Sequence, residues 1–197
     1  MLLSGAGINL QHYALRPYPE NDPIRFLFLG RLMKEKGVDE LLAAVKMLYD
    51  DCFDIHLDLV GFFEDSYKEQ IDALCKQGIA TFHGFQQDPR PYYAAADCVV
   101  LPSYHEGMSN VLLEAAATGR PLVTSYIPGC REAVDEGRSG FTCRPRDKYG
   151  LYEAMKKIAQ LPREARMEMG LAGRRRMEER FDKQTVVEDT MNAIFRP

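Results

Sequence analysis

Short apolar runs alternate with amphipathic helical patterns along most of this chain, and this alternation restricts the fold more than any other feature. Residues 24–30 (IRFLFLG) and 55–61 (IHLDLVG) are apolar runs that end in glycine, which is typical of buried strands. Between them, apolar residues recur every three or four positions over residues 38–48, which predicts a helix. A strand, a helix and a second strand in this order form a βαβ unit with parallel strands.

The same pattern continues along the rest of the chain. It predicts further strands at residues 79–82, 97–103, 121–125 and 140–145. It predicts further helices at residues 64–76, 89–96, 111–119, 147–160, 163–180 and 183–195. The sequence therefore predicts an α/β protein with a Rossmann-like parallel sheet, helices on both faces and extra helices at the C-terminal end.

Composition and charge narrow the classes of function. The 197 residues are 46% hydrophobic, which is enough for a sizeable core. The net charge of −4 argues against a nucleic-acid partner, which needs a basic surface. No apolar run approaches the roughly 20 residues of a transmembrane segment, and the N-terminus lacks the features of a secretory signal. The five cysteines contain no C-x-x-C pair, so we expect reduced thiols in a cytoplasmic protein.

Ligands of parallel α/β sheets bind beyond the carboxyl ends of the strands, so the residues after each strand are candidate site residues. Gly30, which lets the backbone approach a ligand closely, and Arg31 end the first strand, and Lys36 precedes the next helix. Both cations could reach one anion at that helix N-terminus. The alternative is that they are ordinary surface charges beside Glu35. The sequence has no G-x-G-x-x-G after this strand and no G-x-x-x-x-G-K-[ST], which argues against NAD and against a P-loop.

Two glutamates follow the strand predicted before residue 104. Glu106 precedes the next helix, and Glu114 lies within that helix. The residues between them, 107–110, can offer backbone N–H groups to an anion. Because carboxylates accept hydrogen bonds from vicinal hydroxyls, they indicate, together with the cations, a nucleotide sugar. The alternative is that Glu106 stabilises the helix N-terminus and that Glu114 pairs with Arg120 or Arg131.

Several ordered motifs make the chain resemble a known family. The segment PSYHEGMSNVLLEAAATGRPLVTS contains an E-x7-E pattern, and FLGRLMKEKGVDELLAA contains a first-strand signature. The segments SGAGINLQHY, AADCVVLPS, PGCREAVDEG and SGFTCRP also match in order. Nearly the whole chain resembles the C-terminal, donor-binding domain of the retaining glycosyltransferases of family four, which have the two-domain GT-B fold.

The resemblance implies a role for each charged residue at the rim of the sheet. Arg31 and Lys36 are expected to hold the donor diphosphate and to stabilise its growing negative charge. Glu114 is expected to bind the ribose hydroxyls, and Glu106 to support the transferred sugar without acting as a covalent nucleophile. The backbone expected near the sugar and phosphates is that of Gly107, Met108, Ser109 and Asn110. The nucleobase is expected near the loop after the third strand, at Gly84, Phe85 and Gln86.

The implied activity is transfer of a hexose or N-acetylhexosamine to a glycan or lipid-linked acceptor, as in capsule or polysaccharide biosynthesis. The implied donor is a nucleotide-diphosphate sugar, with a UDP-sugar expected from its frequency in the family, and no separate cofactor is expected. The lack of a D-x-D motif agrees with a metal-independent reaction. Peripheral contact of the full-length enzyme with the inner face of the membrane stays open.

The resemblance also divides the chain into three parts. Residues 1–23 are rich in Gly, Pro and Asn and are interpreted as a linker from a missing N-terminal domain that holds the acceptor site. Residues 24–181 form the nucleotide-sugar-binding domain, and residues 182–197 are expected to dock on the missing domain. The apolar stripe of this last helix comprises Val186, Val187, Thr190 and Ile194. The isolated chain is expected to be inactive; a non-catalytic nucleotide-sugar-binding module and one half of a sugar-nucleotide epimerase are the alternatives.

Overall fold

A computed structural model of the chain describes residues 7–195. Its centre is a six-stranded sheet in which the paired strands run parallel. In chain order the strands are β1 (Ile24–Leu29), β2 (Ile55–Val60), β3 (Ala80–Phe82), β4 (Cys98–Leu101), β5 (Leu122–Ser125) and β6 (Gly140–Cys143). Their order across the sheet is β3-β2-β1-β4-β5-β6. The predicted Rossmann-like parallel sheet is confirmed.

Helices connect most of the strands and continue after the last one. They are α1 (Val38–Asp50), α2 (Lys68–Lys76), α3 (Arg90–Ala95), α4 (Asn110–Ala117), α5 (Lys148–Gln160), α6 (Arg163–Arg180) and α7 (Lys183–Phe195). Helix α1 packs against α5, and α4 packs against α6. Because the steps from β1 to β2 and from β4 to β5 run in opposite directions across the sheet, right-handed crossovers place α1 and α4 on opposite faces.

The core is centred on β4 and β5, in which every residue is buried. A strand that is covered on both faces reads as a continuous apolar run, which is why the sequence pattern of these strands does not alternate. Three consecutive alanines of α4 are also buried, and their small side chains allow this helix to pack closely. Three of the cysteines belong to the same core: Cys98, Cys130 and Cys143.

The second helix begins later than its sequence pattern indicated. We predicted a helix over residues 64–76, whereas α2 begins at Lys68. The backbone N–H groups of Glu64 and Asp65 donate to the carbonyl oxygen of Leu32 at 3.1 and 3.2 Å. These hydrogen bonds tie the loop after β2 to the loop after β1. Glu64 therefore lies at the carboxyl rim of the sheet and not in a helix.

The loops at this rim also approach one another closely at glycines. A Cβ atom on Gly61 would lie 1.8 Å from the carbonyl oxygen of Gly30. A Cβ atom on Gly37 would lie 2.1 Å from the carbonyl oxygen of Pro102. The loop after β1 is thus in direct backbone contact with the loops after β2 and β4, and a larger residue at either glycine would separate them.

The segment that precedes β1 packs against the rest of the protein. The N–H of Ile8 donates to the carbonyl oxygen of Phe181 at 2.7 Å, and the N–H of Lys183 donates to that of Ile8 at 3.0 Å. The buried hydroxyl of Tyr18 donates to the backbone oxygen of Asp97 at 2.7 Å. Residues 1–6 of the predicted linker lie outside the described residues, and the division at residues 23 and 181 stays a prediction.

The side chains of α7 differ in exposure along the predicted apolar stripe. Val186 is buried, whereas the side chain of Val187 is exposed. Those of Thr190 and Ile194 lie outside what the structure describes. Within residues 7–195, no helix is long and apolar enough to cross a membrane.

Candidate functional site

The order of the strands places one crevice at the carboxyl edge of the sheet. From β1, the chain passes through α1 to β2 on one side, while β4 lies on the other side of β1 and leads away to β5. Ligands of open α/β sheets bind at the crevice created by such a reversal of strand order. The candidate cations follow β1 and the candidate carboxylates follow β4, so they flank this crevice.

Lys36 and Glu106 come together across the crevice. The Nζ atom of Lys36 lies 2.6 Å from Oε1 of Glu106, and the two side chains are 20% and 13% exposed. The hydroxyl of Ser103 donates to the same carboxylate oxygen at 2.8 Å. Lys36 ends a short 3-10 turn immediately before Gly37, which sets the position of its side chain at the entrance to α1. The loops after β1 and β4 thus contribute side chains to one charged cluster.

Arg31 lies at the same rim but has a carboxylate partner of its own. Its Nη1 atom is 2.8 Å from Oε2 of Glu64, and this pair is more exposed, at 49% and 41%. In the structure each cation pairs with a different carboxylate, and the expectation that Arg31 and Lys36 bind one anion stays a prediction. Glu64 was missed because the sequence pattern assigned it to a helix.

Glu114 is half-buried and is held by a tyrosine. The hydroxyl of Tyr93, which is fully buried, donates to Oε2 of Glu114 at 2.8 Å. Burial raises the pKa of Glu114, while hydrogen bonding with the hydroxyls of Tyr93 and Tyr13 opposes that rise. Among residues 7–195, Glu114 and Glu106 share no hydrogen-bond partner, so the two carboxylates occupy separate surroundings on the helix and the loop that follow β4.

Backbone N–H groups are available between the two glutamates. The N–H of Ser109 is already used, because it donates to the carbonyl oxygen of Gly129 at 2.9 Å. Gly129 has a φ of 86°, and a Cβ atom there would lie 2.0 Å from the carbonyl oxygen of Gly107. In the described part of the chain, the other three N–H groups have no protein acceptor, and they belong to Gly107, Met108 and Asn110. These donors remain free for an anion.

Neither arginine that the sequence suggested as a partner of Glu114 contacts it. Arg120 is fully buried, and its Nε donates to the backbone oxygen of Tyr93 at 2.9 Å. Arg131 pairs with Glu132, with Nε and Oε1 3.1 Å apart. The alternative in which Glu114 pairs with Arg120 or Arg131 is therefore wrong. Arg120 acts on Glu114 indirectly, because it fixes the backbone of the tyrosine that binds the carboxylate.

The loop after β3 presents an aromatic surface at the edge of the sheet. Phe85 is 70% exposed, and its ring centroid lies 6.5 Å from that of Phe62 in the loop after β2. The Nε2 of Gln86 donates to the backbone oxygen of His83 at 2.7 Å, which orders the same loop. The proximity of Phe85 and Gln86 to a nucleobase stays a prediction.

The fold places the chain in a class of known proteins. The six-stranded parallel sheet with its covering helices is a Rossmann-like domain of the kind found in GT-B glycosyltransferases. One solved structure of this class is sucrose-phosphate synthase from Thermosynechococcus elongatus, with a TM-score of 0.80 and 26% identity over 96% of this chain and 50% of that one. Another is HepE of Anabaena in complex with UDP, which shares the fold with a TM-score of 0.82 and 21% identity, over 95% and 55% of the two chains.

The sequence comparisons identify the family. Residues 23–160 match the family described as glycosyl transferases group 1, and the chain belongs to that family. Glycogen synthase of Mycobacterium tuberculosis is 38% identical over 178 residues, which cover 87% of this chain and 42% of that protein. The chain thus spans less than half the length of this curated relative. The resemblance inferred from the motifs is confirmed.

Proposed function

We propose that this chain binds the nucleotide-sugar donor of a retaining, metal-independent glycosyltransferase. The observation that carries the proposal is the contact of Lys36 with Glu106 across the crevice, with Glu114 further along α4. A cation and two carboxylates at one rim suit a ligand that has both phosphates and hydroxyls. The structure of HepE in complex with UDP, which has the same fold, supports a UDP-linked donor, and we propose a hexose or N-acetylhexosamine as its sugar.

Each group has a distinct task in this proposal. Arg31 and Lys36 bind the diphosphate, and the free N–H groups at the start of α4 add neutral donors to the same charge. Glu114 accepts hydrogen bonds from the ribose hydroxyls. Glu106 accepts hydrogen bonds from the hydroxyls of the transferred sugar and lies where positive charge develops at its anomeric carbon.

The chemical step depends on electrostatic stabilisation by groups that are already in place. As the bond between the anomeric carbon and the diphosphate oxygen breaks, negative charge grows on the diphosphate and is stabilised by Arg31 and Lys36. The acceptor oxygen bonds to the anomeric carbon on the face that the diphosphate leaves, and its proton passes to a diphosphate oxygen. Glu106 stabilises the oxocarbenium-like sugar without forming a covalent bond to it.

The acceptor site is proposed to lie outside this domain. We propose that a glycan or lipid-linked acceptor binds to a second domain, which faces the crevice in the complete enzyme. The chain covers 42% of the glycogen synthase relative, which agrees with one domain of two. On this basis we expect nucleotide binding by the chain but no sugar transfer.

Calorimetric titration with UDP, GDP and ADP tests the proposal. Wild type is compared with Glu114→Ala, which removes the carboxylate proposed to bind the ribose. The binding free energy is expected to become less favourable by about 1–3 kcal/mol. Glu153→Ala is the matched control, since it removes an exposed carboxylate on α5. Equal affinity of wild type and Glu114→Ala would remove the assignment of the ribose site, and binding of none of the three nucleotides would remove the proposed function.

A further inference from the structure

The carboxylate of Glu114 is held by a chain of buried contacts that starts in another part of the protein. The hydroxyl of Tyr93 donates to Oε2 of Glu114 at 2.8 Å, and Tyr93 itself is fully buried. Its backbone oxygen accepts from Nε of Arg120 at 2.9 Å. The Nη2 atom of Arg120 in turn donates to the carbonyl oxygen of Pro17 at 2.7 Å. The tyrosine that binds Glu114 is therefore fixed both by the core and by the segment before β1.

The same segment also packs against Tyr93, through Tyr13. The rings of Tyr13 and Tyr93 meet edge to face, with centroids 6.3 Å apart and an interplanar angle of 72°. The backbone oxygen of Tyr13 accepts from Nη1 of Arg174 at 3.0 Å, which anchors the residue on α6. Burial, and then the charge of Glu114, raise the pKa of Tyr13 to about 12, so its hydroxyl remains protonated at neutral pH.

We propose that Tyr93 and Tyr13 are positioning residues that fix the Glu114 carboxylate for the ribose of the donor. This inference rests on the proposed function, because it assumes that Glu114 binds the ribose. It adds that the segment before β1 contributes to donor affinity without touching the donor.

Two physical effects of the hydroxyls support this role. A carboxylate with one oxygen already bound to Tyr93 has lost most of its rotational freedom, so less entropy is lost when the ribose binds. A donated hydrogen bond also stabilises the charged form, which is the form that accepts from two vicinal hydroxyls. Removal of the Tyr93 hydroxyl should therefore both loosen Glu114 and shift it towards protonation.

The direction of the titration follows from the groups that face Glu114. Burial raises the pKa of Glu114, whereas three groups from α3 and the segment before β1 lower it: Tyr93, Tyr13 and His12. Charges that face Tyr13 are those of Asp88 and Arg90. If one of the groups that lower this pKa is removed, the pKa of Glu114 rises further. The carboxylate is then protonated at a higher pH. Affinity for the ribose should then start to fall at a higher pH as the solution is acidified.

The first test measures Glu114 directly, without a nucleotide. The carbon-13 signal of its carboxyl carbon is assigned by comparison with Glu114→Gln and is followed against pH. In Tyr93→Phe the pKa of Glu114 is expected to rise by roughly one unit, and in Tyr13→Phe by less. Tyr152→Phe is the matched control, because it also removes a buried tyrosine hydroxyl that binds a carboxylate, that of Asp51, and it should leave the titration of Glu114 unchanged.

The second test measures affinity for whichever of UDP, GDP and ADP binds wild type most tightly. At neutral pH, Tyr93→Phe is expected to bind roughly three- to tenfold more weakly, and the loss on acidification should begin at a higher pH than in Tyr152→Phe. Because the two variants are compared at the same pH, protonation of the nucleotide affects the affinity of both equally. Circular dichroism establishes that each variant is folded, and Tyr13→Phe, at a less buried site, repeats the test with less risk to folding.

The outcomes separate this inference from the proposed function. In a folded Tyr93→Phe, either an unchanged Glu114 pKa or an unchanged nucleotide affinity would overturn the positioning role while leaving the proposed function intact. A wild-type chain that binds none of the three nucleotides would remove both the proposed function and the ribose as the reason for positioning. A raised pKa together with weaker binding, seen in both tyrosine variants and not in the control, would support the inference.

Discussion

Lys36 and Glu106 follow different strands of the sheet, and yet their side chains meet at 2.6 Å in a largely buried position. The pair joins the two loops that enclose the crevice between β1 and β4. Because both groups are shielded from water, each depends on the other for compensation of its charge. The contact therefore contributes to the stability of the fold as well as to the proposed site.

Comparison of Lys36→Met with the double variant Lys36→Met/Glu106→Gln separates these two contributions. We expect the free energy of unfolding to fall by about 1–3 kcal/mol, because the largely buried Glu106 loses its cation. Nucleotide affinity should fall at least roughly tenfold, because a phosphate loses a charged donor. The double variant Lys36→Met/Glu106→Gln should regain part of the stability and none of the affinity. Chemical denaturation and calorimetry measure the two quantities; a single variant as stable as wild type would contradict the expectation.

Release of Arg31 from Glu64 should have the opposite effect on binding. If Arg31 binds a phosphate as proposed, Glu64 competes with that phosphate for the guanidinium, and the exposed pair contributes little stability by itself. We expect Glu64→Gln to bind UDP roughly two- to fivefold more tightly at low ionic strength, with the difference shrinking as salt is added. Asp72→Asn, which breaks the comparably exposed pair with Lys68, is the matched control. Equal affinities of Glu64→Gln and Asp72→Asn at low salt would contradict this.

Gly129 should be far less tolerant of substitution than another glycine with the same kind of backbone conformation. Gly129→Ala places a Cβ atom 2.0 Å from the carbonyl oxygen of Gly107, next to Glu106. Gly137 also has a positive φ, of 73°, but a Cβ atom there meets nothing within 4 Å. We expect Gly137→Ala to cost about 1 kcal/mol of stability and leave nucleotide binding unchanged.

In Gly129→Ala the new Cβ atom clashes with the carbonyl oxygen of Gly107 in addition to straining the backbone. We therefore expect a loss of stability of more than about 2 kcal/mol. The displaced loop should also weaken nucleotide binding. Thermal denaturation and calorimetry on both glycine variants decide the matter. Equal losses in the two variants would show that the close approach at Gly129 is relaxed at little cost.

Glu114→Gln is expected to weaken nucleotide binding and to increase stability. Burial raises the pKa of Glu114, so the folded state binds this proton more tightly than the unfolded state does. The contribution of Glu114 to stability is therefore greatest below its unfolded pKa and declines as pH rises through the folded pKa. Glutamine does not ionise, so the free energy of unfolding of the variant should increase relative to that of wild type as pH rises. At neutral pH the variant should melt a few degrees higher.

Thermal denaturation of Glu114→Gln and wild type from about pH 4 to 7.5 checks this dependence. Glu153→Gln, at an exposed position on α5, serves as the control and should follow wild type throughout. An advantage of Glu114→Gln that is largest in acid would mean that the buried carboxylate is stabilised by its tyrosines more than it is disfavoured by burial.

The sequence was a good guide to the strands and helices for a specific physical reason. A strand covered on both faces must be apolar throughout, so runs such as the one that became β4 are visible without any knowledge of their neighbours. The start of α2 was wrong because its first turn is replaced by hydrogen bonds from Glu64 and Asp65 to Leu32. Such bonds link residues more than thirty positions apart, and no local pattern reports them.

The candidate site was predictable in its residue types and not in its contacts. The positions of Lys36, Glu106 and Glu114 after strands β1 and β4 were enough to place them at one rim. Their partners were not visible, since Tyr93 and Glu64 lie in segments whose patterns describe ordinary amphipathic helices. Which carboxylate pairs with which cation is decided by how the loops pack, and this depends on the whole fold.

The close approaches at Gly61, Gly37 and Gly129 also bear on how such a domain can diversify. Four loops that are neighbours along the rim touch backbone to backbone at these glycines, so a Cβ atom at any of the three would push two loops apart. Side chains that project beyond these backbone contacts, such as the exposed rings of Phe85 and Tyr126, can be replaced without disturbing them. A mutational library directed at these outward positions would therefore test donor preference at the proposed site while the backbone contacts between the loops stay intact.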